Sequence, residues 1–288
     1  MPATGNKSFT SYRLSIRYGA DGFSFSVIGI HDGAVVQTDR FPVTDEKGAA
    51  DILRQALRKP YLMDYSFQAV ELVADTQETI VPLEHFSKAD MLAYYRLSFP
   101  STVNGQWSTV NGQRSMVNGQ WSMVNGQRSM VNGQWSMADM QYQILTPVEA
   151  AMIFRLDQDI LRTVQECYPD VKVCCTDAQL LERFAARQEQ RPAPDADPQS
   201  DAHLHAEPLC DVHLHVDPRR FFIAAFRRSK LLYAASQAAA GDDDRAFLLL
   251  GIWKALDLNP QRDALHIEGA SRELQKTIGE YILNISEE

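Results

Sequence analysis

The two ends of this chain carry the same order of predicted secondary structure. Near the amino end, alternation of apolar and polar side chains predicts three consecutive strands, at residues 12–18, 23–30 and 34–41. Asp21-Gly22 and Asp32-Gly33 stand between these strands, and glycine tolerates the positive φ that tight hairpin turns require. A helix, a strand, a further strand and a helix follow, at residues 45–59, 68–74, 79–83 and 87–97. The predicted order therefore begins β-β-β-α-β.

The carboxyl end repeats that order. Three strands, a helix, a strand and a last helix are predicted at residues 211–216, 220–227, 230–236, 242–256, 264–268 and 271–283. Asp242, Asp243 and Asp244 open the first of these helices, where the helix dipole favours negative charge. Repeated architecture is the simplest explanation, so we predict an α/β protein built from two β-β-β-α-β-α halves.

The segments between the halves differ in character. Two strands and two helices are predicted, at residues 146–156, 171–175, 158–167 and 178–188. The chain then becomes rich in Pro, Asp, Gln and His and poor in large apolar residues, which predicts a disordered linker. The predicted first half comprises residues 1–100 and, as its remainder, residues 143–188, with the repeat array at 101–142 between them. The predicted linker is at residues 189–210, and the predicted second half is at residues 211–288.

Residues 101–142 are six units of seven: STVNGQW, STVNGQR, SMVNGQW, SMVNGQR, SMVNGQW and SMADMQY. The Asn-Gly pairs and the lack of apolar a/d spacing argue against a coiled coil. Cut at Asn-Gly, the array predicts five-residue strands joined by type I′ turns, a small β-meander. One face would then carry Arg114, Met116, Trp121, Met123, Arg128, Met130 and Trp135. A face of Trp, Met and Arg is typical of protein interfaces, which is one interpretation of the array. The interpretation that we favour is a passenger expansion in a loop that tolerates length, whether ordered or not.

Composition argues against several functions. A formal net charge of −9 repels phosphate backbones, so we expect no nucleic-acid partner. The most apolar stretch, AFLLLGIWKAL, is too short to span a bilayer and contains Lys254, and the first residues lack an apolar leader. Four cysteines, at positions 167, 174, 175 and 210, follow no metal-ligand spacing. We therefore expect a cytoplasmic protein with reduced thiols and no membrane partner.

Two His-Leu-His pairs form the most conspicuous candidate metal site. His203 and His205 precede His213 and His215 by ten residues, with carboxylates nearby. DAHLHAEPLC and DVHLHVDPRR are consecutive matching copies, however, so duplication explains the spacing without a metal. We expect no metal and keep these four imidazoles as weak candidate ligands.

No standard catalytic signature occurs, neither a P-loop, a G-x-G-x-x-G, an H-E-x-x-H nor a G-x-S-x-G. The segments YRLSIRYGADGFSFSV, FFIAAFRRSKLLYAAS and ALHIEGAS do, however, resemble a Bacteroidetes family, domain-of-unknown-function family 3822. That family is placed with the actin-like ATPases, the superfold of actin, Hsp70 and sugar kinases. The resemblance implies actin-like (ribonuclease-H-like) halves and ATP with Mg²⁺ in the cleft between them.

The nucleotide motifs that the resemblance implies depart from the pattern. The first turn, Asp21-Gly22-Phe23-Ser24, is displaced and bulky for a phosphate loop. In the second, Asp217 is followed by proline, which has no N–H, and by two arginines. The adenosine motif keeps Gly269 alone of its two glycines, after Glu268. We predict a non-catalytic protein that acts through protein contacts with no cofactor; the alternative is an ATP-binding or ATP-hydrolysing protein that uses Asp21, Gly22, Asp217 and Gly269.

Overall fold

The computed structural model describes residues 11–43, 48–99, 108–110, 113–115, 137–190, 210–218, 220–239 and 241–287. The chain divides into two compact units. Unit 1 comprises Met1–Ile144 and Ala151–Thr176, and unit 2 comprises Leu145–Ala150 and Asp177–Glu288. The finer domain boundaries inferred from the sequence stay predictions.

Unit 1 contains a five-stranded sheet flanked by helices. In chain order the elements through the end of this unit are β1 (Tyr12–Gly19), β2 (Gly22–Gly29), β3 (Val35–Pro42), α1 (Ala49–Leu57), β4 (Phe67–Ala74), β5 (Glu78–Pro82), α2 (Met91–Ser98), β6 (Ser108–Val110), β7 (Gln113–Ser115), β8 (Met140–Leu145), β9 (Ala150–Arg155), α3 (Gln158–Cys167) and β10 (Lys172–Cys175). The sheet order is β10-β4-β1-β2-β3. Strand β1 pairs antiparallel with β2 and parallel with β4, and β4 pairs parallel with β10.

The predicted faces of unit 1 are the buried ones. Alternate residues of β2, Phe23, Phe25 and Val27, are buried, as the two-residue period requires. Helix α1 buries Leu53, Ala56 and Leu57 on the stripe that its spacing predicts, and a 3₁₀ turn beginning at Pro60 follows it. The helix begins later than predicted, at Ala49, and residues 44–47 lie outside the described part of the chain.

A smaller three-stranded sheet, in the order β5-β9-β8, packs with α2 around its own core of Val81, Met91, Tyr95, Met140 and Ile153. The prediction of one strand at residues 146–156 is wrong in its first part. A 3₁₀ turn at Thr146–Val148, with Pro147 near its start, separates β8 from β9. Glu149 then adopts a left-handed φ of 50°, which redirects the chain into β9.

Unit 2 repeats the main sheet of unit 1. Its elements are α4 (Thr176–Glu189, which begins at the last residue of unit 1), β11 (Cys210–Val216), β12 (Arg220–Arg227), β13 (Lys230–Ala238), α5 (Asp242–Ala255), β14 (Ala264–Glu268), α6 (Arg272–Gly279) and β15 (Ile285–Glu287). The order β13-β12-β11-β14-β15 matches β3-β2-β1-β4-β10 strand for strand, with the same parallel and antiparallel pairings. The predicted duplication is confirmed.

Helices cover both faces of the sheet in unit 2. One face packs Val212, Leu214 and Leu265 against Leu249 of α5 and Leu274 of α6. The opposite face meets α4, whose Phe184 stacks on the ring of His213. Buried apolar contacts on the first face and aromatic stacking on the second therefore hold β11, β12 and β14 between the helices.

The structure describes the repeat array at two short strands and in its last unit, where a 3₁₀ turn at Met137–Asp139 precedes β8. Strands β6 and β7 pair antiparallel on either side of Asn111-Gly112, with Thr109 opposite Arg114. Residues 101–107, 111–112 and 116–136 of the predicted meander lie outside the described residues, as do residues 191–209 of the predicted linker. Within the described ranges no helix has both the length and the apolar character needed to cross a membrane.

Candidate functional site

The turn between β11 and β12 is the feature that the family resemblance assigns to phosphate binding. The Asp217 N–H donates to the carbonyl oxygen of Arg220 at 2.9 Å and closes the hairpin. Pro218 has no N–H. Neither of these two positions has a backbone donor left for a phosphate oxygen.

The carbonyl groups of the same turn are bound by an arginine of α5. Arg245 Nη2 donates to the carbonyl oxygens of Asp217 and Pro218 at 3.0 and 2.7 Å, and Nη1 donates to the Asp242 carboxylate at 2.7 Å. The Arg245 side chain is only 10% exposed. Asp242 and Arg245 are three positions apart, so one face of the first turn of α5 presents both. A guanidinium that binds carbonyls therefore stands where a phosphate loop would offer amides.

Asp242 connects this contact to the start of α6. The Ser271 hydroxyl donates to the second carboxylate oxygen of Asp242, and Ser271 accepts from the Leu274 N–H at 3.0 Å as the N-cap of α6. The hydrogen bond from Ser271, and next that from Arg245, lower the pKa of Asp242. Asp242 is therefore a charged link between the β11–β12 turn and the β14–α6 loop.

Gly269 opens the β14–α6 loop. Its φ is +76°, and a Cβ at this position would lie 2.7 Å from the Val216 carbonyl oxygen. Both the left-handed backbone and the close approach to β11 require glycine here. The glycine predicted as a nucleotide residue thus has a structural reason of its own.

A second set of charged side chains joins the same two loops on the α4 side of the sheet. His215 Nδ1 lies 3.0 Å from Glu268 Oε2, and Nε2 lies 3.6 Å from Asp217 Oδ1. Arg183 of α4 also donates to Glu268. The neighbouring carboxylates of Asp217 and then Glu268 raise the pKa of His215 against the opposing effect of burial. Glu268 therefore pairs with the Arg183 guanidinium and with the His215 imidazole.

Arg220 anchors the start of β12 to α4. Its guanidinium binds Asp177 through two parallel hydrogen bonds of 2.8 and 3.0 Å and donates to the Ser236 hydroxyl at 2.9 Å. The Asp177 side chain is 0% exposed, whereas that of Arg220 is 20% exposed. Bidentate pairing of this kind fixes orientation as well as charge. Arg220, the second of the two arginines that follow Pro218, therefore has a buried carboxylate as its partner.

In unit 1, the β1–β2 turn is closely packed by its own chain. Gly22 has a φ of +116°, and a Cβ there would lie 2.3 Å from the Phe41 carbonyl oxygen. The Asp21 carbonyl accepts from the Val43 N–H at 3.4 Å. Asp75 packs beside Gly19, where a Cβ would lie 3.3 Å from its carboxylate oxygen. The sequence analysis did not single out Asp75 as a neighbour of this turn, although an acidic residue directly after strand β4 is a recognisable signal.

The candidate metal ligands do not form a cluster in the described residues. His213 and His215 share one face of β11, as alternation predicts, but His213 stacks between Phe184 and His266. The Nε2 of His213 lies 2.8 Å from the Gln188 side chain. His203 and His205 lie outside the described residues. No group of three or more His, Cys, Asp or Glu side chains in the described ranges is placed to hold a metal ion.

Comparisons with known proteins agree with this architecture. The family model "Protein of unknown function (DUF3822)" matches residues 5–116 and 136–285. A solved protein of Bacteroides thetaiotaomicron, described as having an actin-like ATPase fold and unknown function, is 20% identical, with a TM-score of 0.68 over 100% of this chain and 94% of that one.

Other solved structures are more distant. A PilM–PilN type IV pilus biogenesis complex is 13% identical, with a TM-score of 0.44 over 96% of this chain and 88% of that one. The ethanolamine utilization protein EutJ of Carboxydothermus hydrogenoformans is 8% identical, with a TM-score of 0.41 over 100% and 85%. No curated protein sequence matches the chain. The fold is that of the actin-like ATPases, and the chain belongs to the DUF3822 family of proteins of unknown function.

Proposed function

We propose that this protein is a non-catalytic, cytoplasmic member of the actin-like fold that acts through contacts with another protein. The observation that supports this most is the pair of hydrogen bonds from Arg245 to the Asp217 and Pro218 carbonyls. Phosphate loops bind anions through free N–H groups. In this turn the Asp217 N–H already donates to Arg220, Pro218 has no N–H, and the carbonyls accept from Arg245. The turn therefore packs against its own chain and not against a phosphate.

Exposed apolar side chains support the protein-contact part of the proposal. On unit 2, Phe247 of α5 is 78% exposed, Leu283 is 69% exposed and Tyr281 is 57% exposed. Exposed aromatic side chains are enriched in protein interfaces. No nucleic acid or membrane partner is proposed, because the net charge of −9 opposes phosphate-rich surfaces.

Nucleotide binding tests the non-catalytic part. The melting temperature of the full chain is measured with and without millimolar ATP or ADP and Mg²⁺. A ligand at 100 times its Kd stabilises a protein by about 2.7 kcal/mol, so binding would raise the melting temperature measurably. We expect no shift. A shift that saturates at micromolar nucleotide would instead support the ATP-binding alternative.

The protein-contact part has a separate test. Tagged wild-type protein and a Phe247→Ser, Tyr281→Ser, Leu283→Ser variant are used to purify bound proteins from cells that express the chain naturally. We expect a stoichiometric partner with the wild type and its loss with the variant, while circular dichroism shows that the variant is folded. Equal recovery with both proteins would place the contact elsewhere, and no partner with either would contradict the proposal.

A further inference from the structure

The β11–β12 turn and the β14–α6 loop are held together from both faces of the unit 2 sheet, by contacts of different kinds. On the α5 side, the link runs from the turn carbonyls through Arg245 and Asp242 to Ser271. Arginine keeps its charge at all ordinary pH values, and the lowered pKa of Asp242 keeps this carboxylate ionised. This link is therefore insensitive to pH near neutrality.

The link on the α4 side depends on an imidazole. His215 is at the end of β11, where its ring lies between Glu268, the last residue of β14, and Asp217 in the turn. The two carboxylates can both be satisfied by one ring only when both nitrogens carry hydrogen, that is, when His215 is an imidazolium. The side chain is 24% exposed, so protons and water reach it.

We propose that His215 is a pH-dependent latch whose protonated ring ties the β11–β12 turn to the end of β14, and whose deprotonation loosens both. Neutral imidazole has one donor, so it keeps at most one of its two carboxylate contacts. Asp217 and Glu268 then lose an attractive charge between them. This inference concerns the loops themselves and does not depend on the proposed function.

The groups around His215 favour its charged form on balance. From α4, Arg183 binds Glu268, and Asp177 is bound by Arg220 of β12. Arg220 Nε also lies 3.9 Å from Asp217. The other imidazoles on this face, His213 and His266, stack with each other. They lie two residues before His215 on β11 and two residues before Glu268 on β14. Asp217 and Glu268 are thus the direct carboxylate partners of His215, and the arginines reduce but do not cancel their charge.

The test uses the full chain and two readouts. Histidine-labelled protein is titrated by NMR, with Gln at position 215 (His215→Gln) assigning the signal. Hydrogen exchange of peptides covering residues 214–222 and 265–275 is then measured from pH 6 to 9 and corrected for intrinsic rates. We expect His215 to titrate above its ordinary pKa of 6.5, and protection in both peptides to fall through the same pH range.

The size of the effect follows from linkage. Each unit by which folding raises the His215 pKa corresponds to about a tenfold difference in loop opening between the two protonation states. His215→Gln should abolish the pH dependence. His85→Gln is the matched control, because the His85 side chain is 69% exposed and its ion-pair partner, 3.4 Å away, is the preceding residue Glu84. It should leave the dependence unchanged.

Two results would overturn the latch. The first is a measured His215 pKa at or below its ordinary value of 6.5. The second is hydrogen exchange in the two peptides that remains dependent on pH in the His215→Gln protein. If His215→Gln fails to fold, Asp217→Asn serves as a second variant. It removes one carboxylate partner, so the His215 pKa should fall and the exchange transition should move to lower pH; an unmoved transition also rejects the proposal.

Discussion

Removal of the Arg220 guanidinium should destabilise unit 2 more than any ordinary surface charge change. Asp177 has a fully buried side chain whose two oxygens accept hydrogen bonds of 2.8 and 3.0 Å from Arg220. Arg220→Met keeps the apolar stem and leaves the carboxylate uncompensated. Breaking a buried pair in this way costs about 3–5 kcal/mol. Because Arg220 is 20% exposed and its site admits some water, we expect a loss near the lower end, ~3 kcal/mol.

The reverse variant should cost less. In Asp177→Asn the guanidinium loses its charged partner but retains Ser236 and access to water, so we expect a loss of ~1–2 kcal/mol. The double variant should recover much of the loss, since it leaves no unpaired buried charge. Arg162→Met is the control, because Arg162 and Asp159 form an exposed pair at 3.7 Å whose contribution should be below about 1 kcal/mol.

Urea unfolding followed by circular dichroism gives the four free energies, and calorimetry gives the melting temperatures. A 3 kcal/mol loss should lower the melting temperature of a domain of this size by about 6–12 °C. If unfolding occurs in two steps, the step that moves identifies unit 2. An Arg220→Met cost equal to that of Arg162→Met, or strictly additive single-variant costs, would refute the reasoning.

Three further predictions concern the same loops and the array. Gly269→Ala should lower the free energy of unfolding in urea by about 1–3 kcal/mol, because φ is +76° and a Cβ would approach the Val216 carbonyl oxygen. Gly251→Ala in α5 is the control and should raise it by about 0.5–1 kcal/mol. Equal effects of the two substitutions would contradict the backbone argument. Ser271→Ala should lose ~1 kcal/mol with the N-cap. Because the Ser271 hydrogen bond lowers the Asp242 pKa, the ionised carboxylate stabilises the fold above its ordinary pKa, and this stability is lost as the pH falls and Asp242 is protonated. Ser271→Ala should make this acid-dependent loss smaller, as measured by the melting temperature at a series of pH values. A variant lacking residues 117–135, the stretch that the family model leaves unmatched, should melt within ~2 °C of the wild type, since loop length has a small effect on stability; collapse of the fold would show that the array is structural.

Local patterns made much of the fold predictable. Alternation in Phe23, Phe25 and Val27 marks a half-buried strand, and the glycine at position 22 marks its turn. At the carboxyl end the alternation recurs in β11, where Val212 and Leu214 alternate with His213 and His215, but the turn contains Pro218 rather than glycine. The repeated order of elements was therefore the signal from which the duplicated sheet could be inferred. At the start of β9, where alternation is absent, the prediction failed. Residues 150–154 are all buried, and a continuous apolar run cannot show where a strand begins.

The candidate site was predictable only in part. Pro218 after Asp217 already indicated a turn poor in donors. The group that binds its carbonyls could not be found, because Arg245 stands 27 residues away, among the polar residues of a helix start. Asp177 looked equally ordinary, although its side chain is the buried partner of Arg220. Long-range pairing of this kind depends on how strands and helices meet in space, and no spacing rule within one sequence reports it.

Isothermal titration of the full chain with ATP and Mg²⁺ tests the central claim most directly, because it measures the one property that a self-packed β11–β12 turn should lack. The account predicts no heat beyond dilution at protein concentrations that would detect a Kd of about 100 μM. A one-to-one isotherm with a micromolar Kd that depends on Mg²⁺ would contradict it.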